Sequence, residues 1–221
     1  MSTKIMLVAV AVASTAAFAL PSLAAAAEED IPVHVVPLPA NGSVISGGAS
    51  TLQTRAGTTV TCKEVSGQVT KWESTTTGKI TLTFHNDCTE SVFKTGCGEI
   101  MTTELQFHLV TLTNKVRGVL ITSNAGHFAS FECGAGLLKV VVTGNGVLGK
   151  ITSPACGSES TTATMKFEQT GGVQTQQVVE GTPNTKYHLS SQINGGAVEE
   201  AGQTGEGTIS FGTTKEKLEC T

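Results

Sequence analysis

A few residue sets have types and spacing that suggest chemistry. Gly144-Asn145-Gly146-Val147-Leu148-Gly149-Lys150 matches the pattern G-x-G-x-x-G, and it follows the apolar run 138–143. A dinucleotide loop needs a helix opening directly behind it, so that backbone amides and the helix dipole face the pyrophosphate. Here the chain continues as another apolar run, 147–151, and reaches Pro154. Asn145-Gly146 is therefore read as a hairpin turn, with positive φ at both central positions. His85, His108 and His188 fall on the polar faces of predicted strands. Three imidazoles brought together would suit zinc with an open fourth position. No H-E-x-x-H or close histidine pair accompanies them, so they read as solvated strand residues. Calcium would have to draw on Asp30, Asp87 and the acidic, glycine-containing segment 199–206, which is read as a solvated loop.

Hydrolytic sites are no better marked. There is no G-x-S-x-G elbow, and a Ser-His-Asp set would have to recruit Asp87. Sixteen glutamates leave paired-carboxylate glycoside chemistry open. A sugar cleft, however, usually wants stacking aromatics, and Trp72 and Tyr187 are the only ones beyond phenylalanine. Trp72 is a candidate partner contact, because exposed Trp is enriched at interface hot spots; the alternative is the edge of the core. The sequence thus assigns no catalytic residue, no cofactor and no metal ligand.

Composition explains this poverty. The 221 residues include 34 Thr and 25 Gly, but only two Asp and two Arg, and 14% are charged. So little positive charge leaves nothing to neutralise phosphates, which argues against a nucleic-acid partner. A 39% apolar content at a net charge of −4 is enough for a packed core. Thr and Gly are poor helix formers, and Thr favours strands.

The elements follow from periodicity. Ile80, Leu82 and Phe84 alternate with polar residues, as do Leu105, Phe107 and Leu109. Period 2 of this length marks half-buried strands. Similar runs cover 57–63, 115–122, 127–133, 137–143, 147–152, 161–168, 173–180, 186–191, 207–211 and 216–220, with Gly, Asn or Pro between them. The T-x-T pairs at 59/61, 81/83 and 111/113 place hydroxyls on one strand face without a repeat that would make a ladder. About ten short strands with tight turns predict an all-β, antiparallel sandwich or barrel-like domain over 57–221.

Two segments precede that domain. Lys4, the apolar stretch 5–20, Pro21 and Ala24–Ala27 have the layout of a signal peptide, so 1–27 is expected to be removed and the protein to be secreted or held in the cell envelope. No later segment is long and apolar enough to span a membrane as a helix. Residues 28–56, rich in Pro, Gly and Ser, are expected to form a flexible arm, with 33–36 as a potential edge strand. Self-association through that arm or through edge strands is one expectation for partners; the partner is otherwise unknown.

Six cysteines in an exported chain read as three disulfides. Many connectivities fit the spacing. Cys88 and Cys97 bracket a short polar loop and are expected to close it, Cys62 is then paired with Cys133, and Cys156 with Cys220. A thiolate metal site is disfavoured, because no C-x-x-C is present and the compartment is oxidising.

The order Thr61-Cys62, Cys88, Cys97-Gly98, Ile100 to Leu105 and Phe128-Ala129-Ser130-Phe131-Glu132-Cys133 resembles uncharacterised secreted, cysteine-containing proteins of soil actinobacteria, over about residues 57–152. The resemblance implies an exported all-β protein and carries over no activity and no catalytic residues. The function expected from the sequence is a non-enzymatic extracellular binding or structural module of unknown ligand. The alternative is a secreted hydrolase with a Glu- or His-based site.

Overall fold

The computed structural model describes residues 33–182 and 184–220, except for the side chain of Cys220. The predicted leader and residues 28–32 of the predicted arm lie outside them. The described chain is all-β and antiparallel. Its strands are β1 (Val33–Val36), β2 (Val44–Gly47), β3 (Ser50–Thr54), β4 (Thr59–Cys62), β5 (Glu64–Trp72), β6 (Thr77–His85), β7 (Thr89–Glu90) and β8 (Ile100–Met101). They continue with β9 (Leu105–Leu112), β10 (Val116–Ser123), β11 (His127–Cys133), β12 (Leu138–Gly144), β13 (Val147–Ser153) and β14 (Glu159–Ser160). The last are β15 (Thr162–Phe167), β16 (Gln169–Thr170), β17 (Val173–Gln174), β18 (Leu189–Ile193), β19 (Val198–Ser210) and β20 (Glu216–Cys220).

The pairings close on themselves. Strands β2, β5, β6, β9, β10, β13, β15 and β19 are hydrogen-bonded in that order, and β19 pairs back to β2. A closed ring leaves no free edge. The alternating faces recognised in the sequence point inward here: Ile80, Leu105, Phe107 and Leu109 are buried. Beyond Leu109 the alternation stops, and Val110, Leu112, Leu120 and Leu148 on the opposite face are buried too. They form a second apolar cluster under the segment 175–188, whose Val179 and Tyr187 pack on it. Most of the predicted strand 173–180 is this covering segment; only Val173–Gln174 pairs as a strand.

The N-terminal half of β19 enters a second sheet, in the order β11, β12, β18, β19, β3, β4, β7. This sheet also returns on itself. Thr89 of β7 bridges Gly96, and the Gly96 carbonyl accepts from the Gly134 amide at the end of β11. One apolar cluster runs through both rings, from Ile45 and Ile80 to Phe128, Val142 and Leu189. A small third sheet, β1-β20-β14, holds the two ends of the described chain together.

Four sequence expectations are corrected. Residues 33–56 are not a loose arm: they supply β1, β2 and β3, each paired to distant strands. Segment 199–206 is the interior of β19, not a loop. Gly144-Asn145-Gly146 is not a hairpin, because β12 pairs with β11 and β18 whereas β13 pairs with β10 and β15. It is a crossover between sheets, and glycine is needed for close approach: a Cβ at Gly144 would lie 2.3 Å from the His188 carbonyl oxygen, and one at Gly146 would lie 2.7 Å from a Leu120 methyl. The Asn145 side chain then holds the neighbouring loop, donating to the Lys186 carbonyl and accepting from the His188 amide.

The fourth correction is the disulfide map. Cys62 bonds Cys88, and Cys97 bonds Cys133. The register explains it. Val60 and Thr61 lie opposite Glu90 and Thr89, which puts Cys62 opposite Cys88. Thr89 faces Gly96, which puts Cys88 opposite Cys97, and the Gly96–Gly134 bond puts Cys97 opposite Cys133. The four thiols therefore form one row across four neighbouring strands. Joining Cys88 to Cys97 would strand Cys62 and Cys133 three strand spacings apart, about 14 Å, beyond the reach of a disulfide. Cys156 is also disulfide-bonded; the side chain of Cys220, its expected partner, lies outside the described residues.

Peptide mapping without reduction should recover Cys62 with Cys88 and Cys97 with Cys133. Replacing both Cys97 and Cys133 with Ser opens a loop of sequence separation 36. The chain-entropy model puts the resulting loss of unfolding free energy at about 3–4 kcal/mol, read by urea titration.

Candidate functional site

The described residues enclose an apolar space between the two rings. A cavity of about 90 Å³ lies where the two rings meet, lined by Leu82, Phe84, Leu105, Ile121 and Phe167 from one ring and by Leu52, Val60, Phe128, Phe131 and Leu189 from the other. A second cavity of about 50 Å³ continues it inside the first ring. Leu82, Phe84, Ile121, Phe167, Ser50 and Gln203 line both. The lining follows from period 2, since each strand contributes its inward positions. Leu52, Leu82, Phe84, Phe131 and Phe167 are only half-buried although they pack against the core, so accessible surface is retained at this place. An apolar site this size exceeds the room one water needs, and a dry cavity of about 150 Å³ is enough for benzene.

Polar groups on the lining are few. The Thr102 hydroxyl donates to the Leu82 carbonyl and accepts from the Leu82 amide. The Ser50 hydroxyl donates to the Thr204 carbonyl and accepts from the Gln203 side chain. Gln203 itself is fixed from behind. Its amide donates to the Gln174 side-chain oxygen, and its carbonyl accepts from the Gln174 side-chain nitrogen. Gln174 is 2% exposed and also donates to the Glu168 carbonyl. The larger cavity has no titratable side chain on its lining, and the smaller has Glu206 alone, which is exposed.

The candidate residues of the sequence do not meet at this site. Trp72 is 6% exposed and packs edge-on against Phe107, with ring centroids 4.8 Å apart. It is a core residue and offers no surface to a partner. The histidines are dispersed: His85 bonds the Ser66 hydroxyl, His34 bonds Glu219, and His127 bonds the Ser130 hydroxyl. His108 is partly buried, and burial lowers its pKa against a weaker opposing pull from Glu73. Among the described residues no group of three or more His, Cys, Asp or Glu side chains is placed to hold a metal ion. Glu199 and Glu200 accept from the Ala56 amide and from Arg55 and Gln177, so they tie down the β3–β4 turn and the covering segment. Gln174 and Gln203 were not recognisable beforehand. Nothing in their neighbourhood distinguishes them from any polar residue of a strand.

A second feature lies at the cysteine row. Between Cys88 and Cys97 the hairpin carries Val92 and Phe93 exposed at its tip, while Glu90 is 2% exposed. The Glu90 carboxylate accepts from the amides of Val92, Phe93 and Thr95 and from the Thr95 hydroxyl. Burial pushes the Glu90 carboxyl up, but the hydrogen bonds from Thr95, Phe93 and Val92 outweigh it and hold its pKa below the ordinary value. Glu216, also 2% exposed, has one carboxylate oxygen without a partner among the described residues, and burial raises its pKa.

Comparison with known proteins returns no matching family model, no matching curated protein and no matching solved structure.

The sign for Glu90 follows from its lowered pKa. A carboxyl whose folded-state pKa is depressed stabilises the protein fully above its unfolded value of 4.5, and that stabilisation is lost as the pH falls below it. Acidification below about pH 4.5 should therefore lower the melting temperature of the native protein. Glu90→Gln should melt lower at pH 7 and lose less on acidification; parallel pH profiles for the two proteins would contradict this.

Proposed function

We propose that this protein is an exported, non-enzymatic binding module that takes up a small apolar molecule between its two strand rings. The observation that carries the reading is the continuous apolar lining of the two adjoining cavities, shared by Leu82, Phe84, Ile121 and Phe167. Ligand sites are concave, mostly apolar and furnished with few polar groups, and this place fits that description in its lining while being smaller than a drug-sized site, so its occupant is small. Export rests on the leader pattern of 1–27, and the disulfides suit an oxidising compartment. Among the described residues no helix is long and apolar enough to cross a membrane.

Two experiments test this reading. Titration with toluene, followed by calorimetry or by ligand-observed NMR, should show saturable binding to the native protein. Leu82→Phe fills space in both cavities and should weaken that binding about tenfold or more while the fold is retained. Toluene that fails to saturate, or that binds Leu82→Phe as well as the native protein, speaks against the cavity. For export, expression of the full chain in a secreting bacterial host should release protein whose N-terminal sequence starts at about residue 28. Retention of Met1 in the cell-associated fraction would refute it.

A further inference from the structure

We propose that the molecule bound in this cavity carries a hydroxyl group, and that the side-chain amide of Gln203 recognises it. The inference rests on the cavity reading above and adds a chemical class to it. Gln203 lines both cavities. Its orientation is fixed by elimination. The Ser50 hydroxyl has one hydrogen, and that hydrogen goes to the Thr204 carbonyl 3.0 Å away. Toward Gln203, therefore, Ser50 can only accept, and the group facing it at 3.1 Å must be the side-chain nitrogen. The side-chain oxygen is thereby turned away from Ser50. It takes no hydrogen bond among the described residues, and the nitrogen keeps one N–H in the same position.

Of the other polar side chains of the lining, Glu206 is exposed at the smaller cavity, and the two hydroxyls are already committed. Ser50 and Thr102 each spend their single hydrogen on a backbone carbonyl. Gln203 is thus the one lining amide that still has an acceptor and a donor to give. Gln174 holds its backbone on both the N–H and the C=O, which fixes the point from which the side chain projects, and the bond to Ser50 holds the side chain itself. A hydroxyl both donates and accepts, so it can answer either atom of the amide, and the remainder of the molecule fits the apolar wall. In an apolar site a hydroxyl without a partner is disfavoured, which makes Gln203 a discriminating contact.

Phenol and toluene test this, because they match in size and differ in the hydroxyl. Both are titrated into the native full chain and into Gln203→Met, with Kd read by calorimetry or NMR. In the native protein phenol should bind within about tenfold of toluene, since its hydroxyl is answered. In Gln203→Met the toluene Kd should hold while the phenol Kd rises about tenfold. Toluene ahead of phenol by more than tenfold in the native protein overturns the proposal, and this comparison needs no variant to fold. A phenol-to-toluene ratio unmoved by Gln203→Met overturns it too, with the cavity reading left intact. If neither compound binds, the cavity reading itself fails and takes this inference with it.

Discussion

Strand β19 changes both of its neighbours along its length. On one side it pairs with β18 over 198–201 and with β15 over 205–210. On the other it pairs with β3 over 201–204 and with β2 over 207–210. Between the end of β18 and the start of β15, the N–H and C=O of Gln203 have no strand to bond, and they are partly buried. Buried backbone groups left unpaired are costly. The side-chain amide of Gln174 fills the gap as a stretch of backbone would, accepting from one group and donating to the other. Both rings depend on this, since β19 is the strand they share.

The exchange has a consequence for the interior. Two sheets that split from one strand diverge, and the space where they part is harder to fill from period-2 side chains alone. The cavities lie there, between residues of β3 and β4 on one side and of β6, β10 and β15 on the other. Ser50 and Gln203 are the polar pair at the branch point, which is why the apolar space has one polar corner. The cysteine row works at the far side of the second ring. It fixes β4, the 88–97 hairpin and β11 side by side, where hydrogen bonding is thin and one bond, Gly96 to Gly134, completes the circuit.

Much of the local structure was legible. The strands 79–85, 103–112, 127–133, 137–143 and 147–152 were marked by alternation, and each occurs, two of them starting slightly later, at Leu105 and Leu138. What misled was composition where partners are remote. Proline and glycine in 33–56 suggested a loose arm, yet Val33, Val35 and Ile45 are buried against strands from the far end of the chain. The acidic glycine-containing stretch 199–206 suggested a loop, yet Glu199 and Glu200 find partners in Ala56, Arg55 and Gln177, and Gly202 leaves room where a Cβ would meet Gln169 at 2.6 Å. Asn145-Gly146 has turn chemistry, but the turn joins two sheets instead of two neighbouring strands.

The sequence by itself determined the class of the fold, because side-chain period, strand propensity and turn residues act over a few neighbours. It also set the number of cysteines and the shortage of charge that leaves the lining almost free of ionisable groups. Only the tertiary structure decided which cysteines pair, which strands close the rings and where Gln203 stands. The ring closure and the place of Gln203 depend on register between segments a hundred residues or more apart in the chain, such as β3 with β19, and the cysteine pairs on register between strands some tens of residues apart. Hydrophobic pattern and turn geometry fix register within a hairpin, but which remote strands meet is decided only when the sheets assemble.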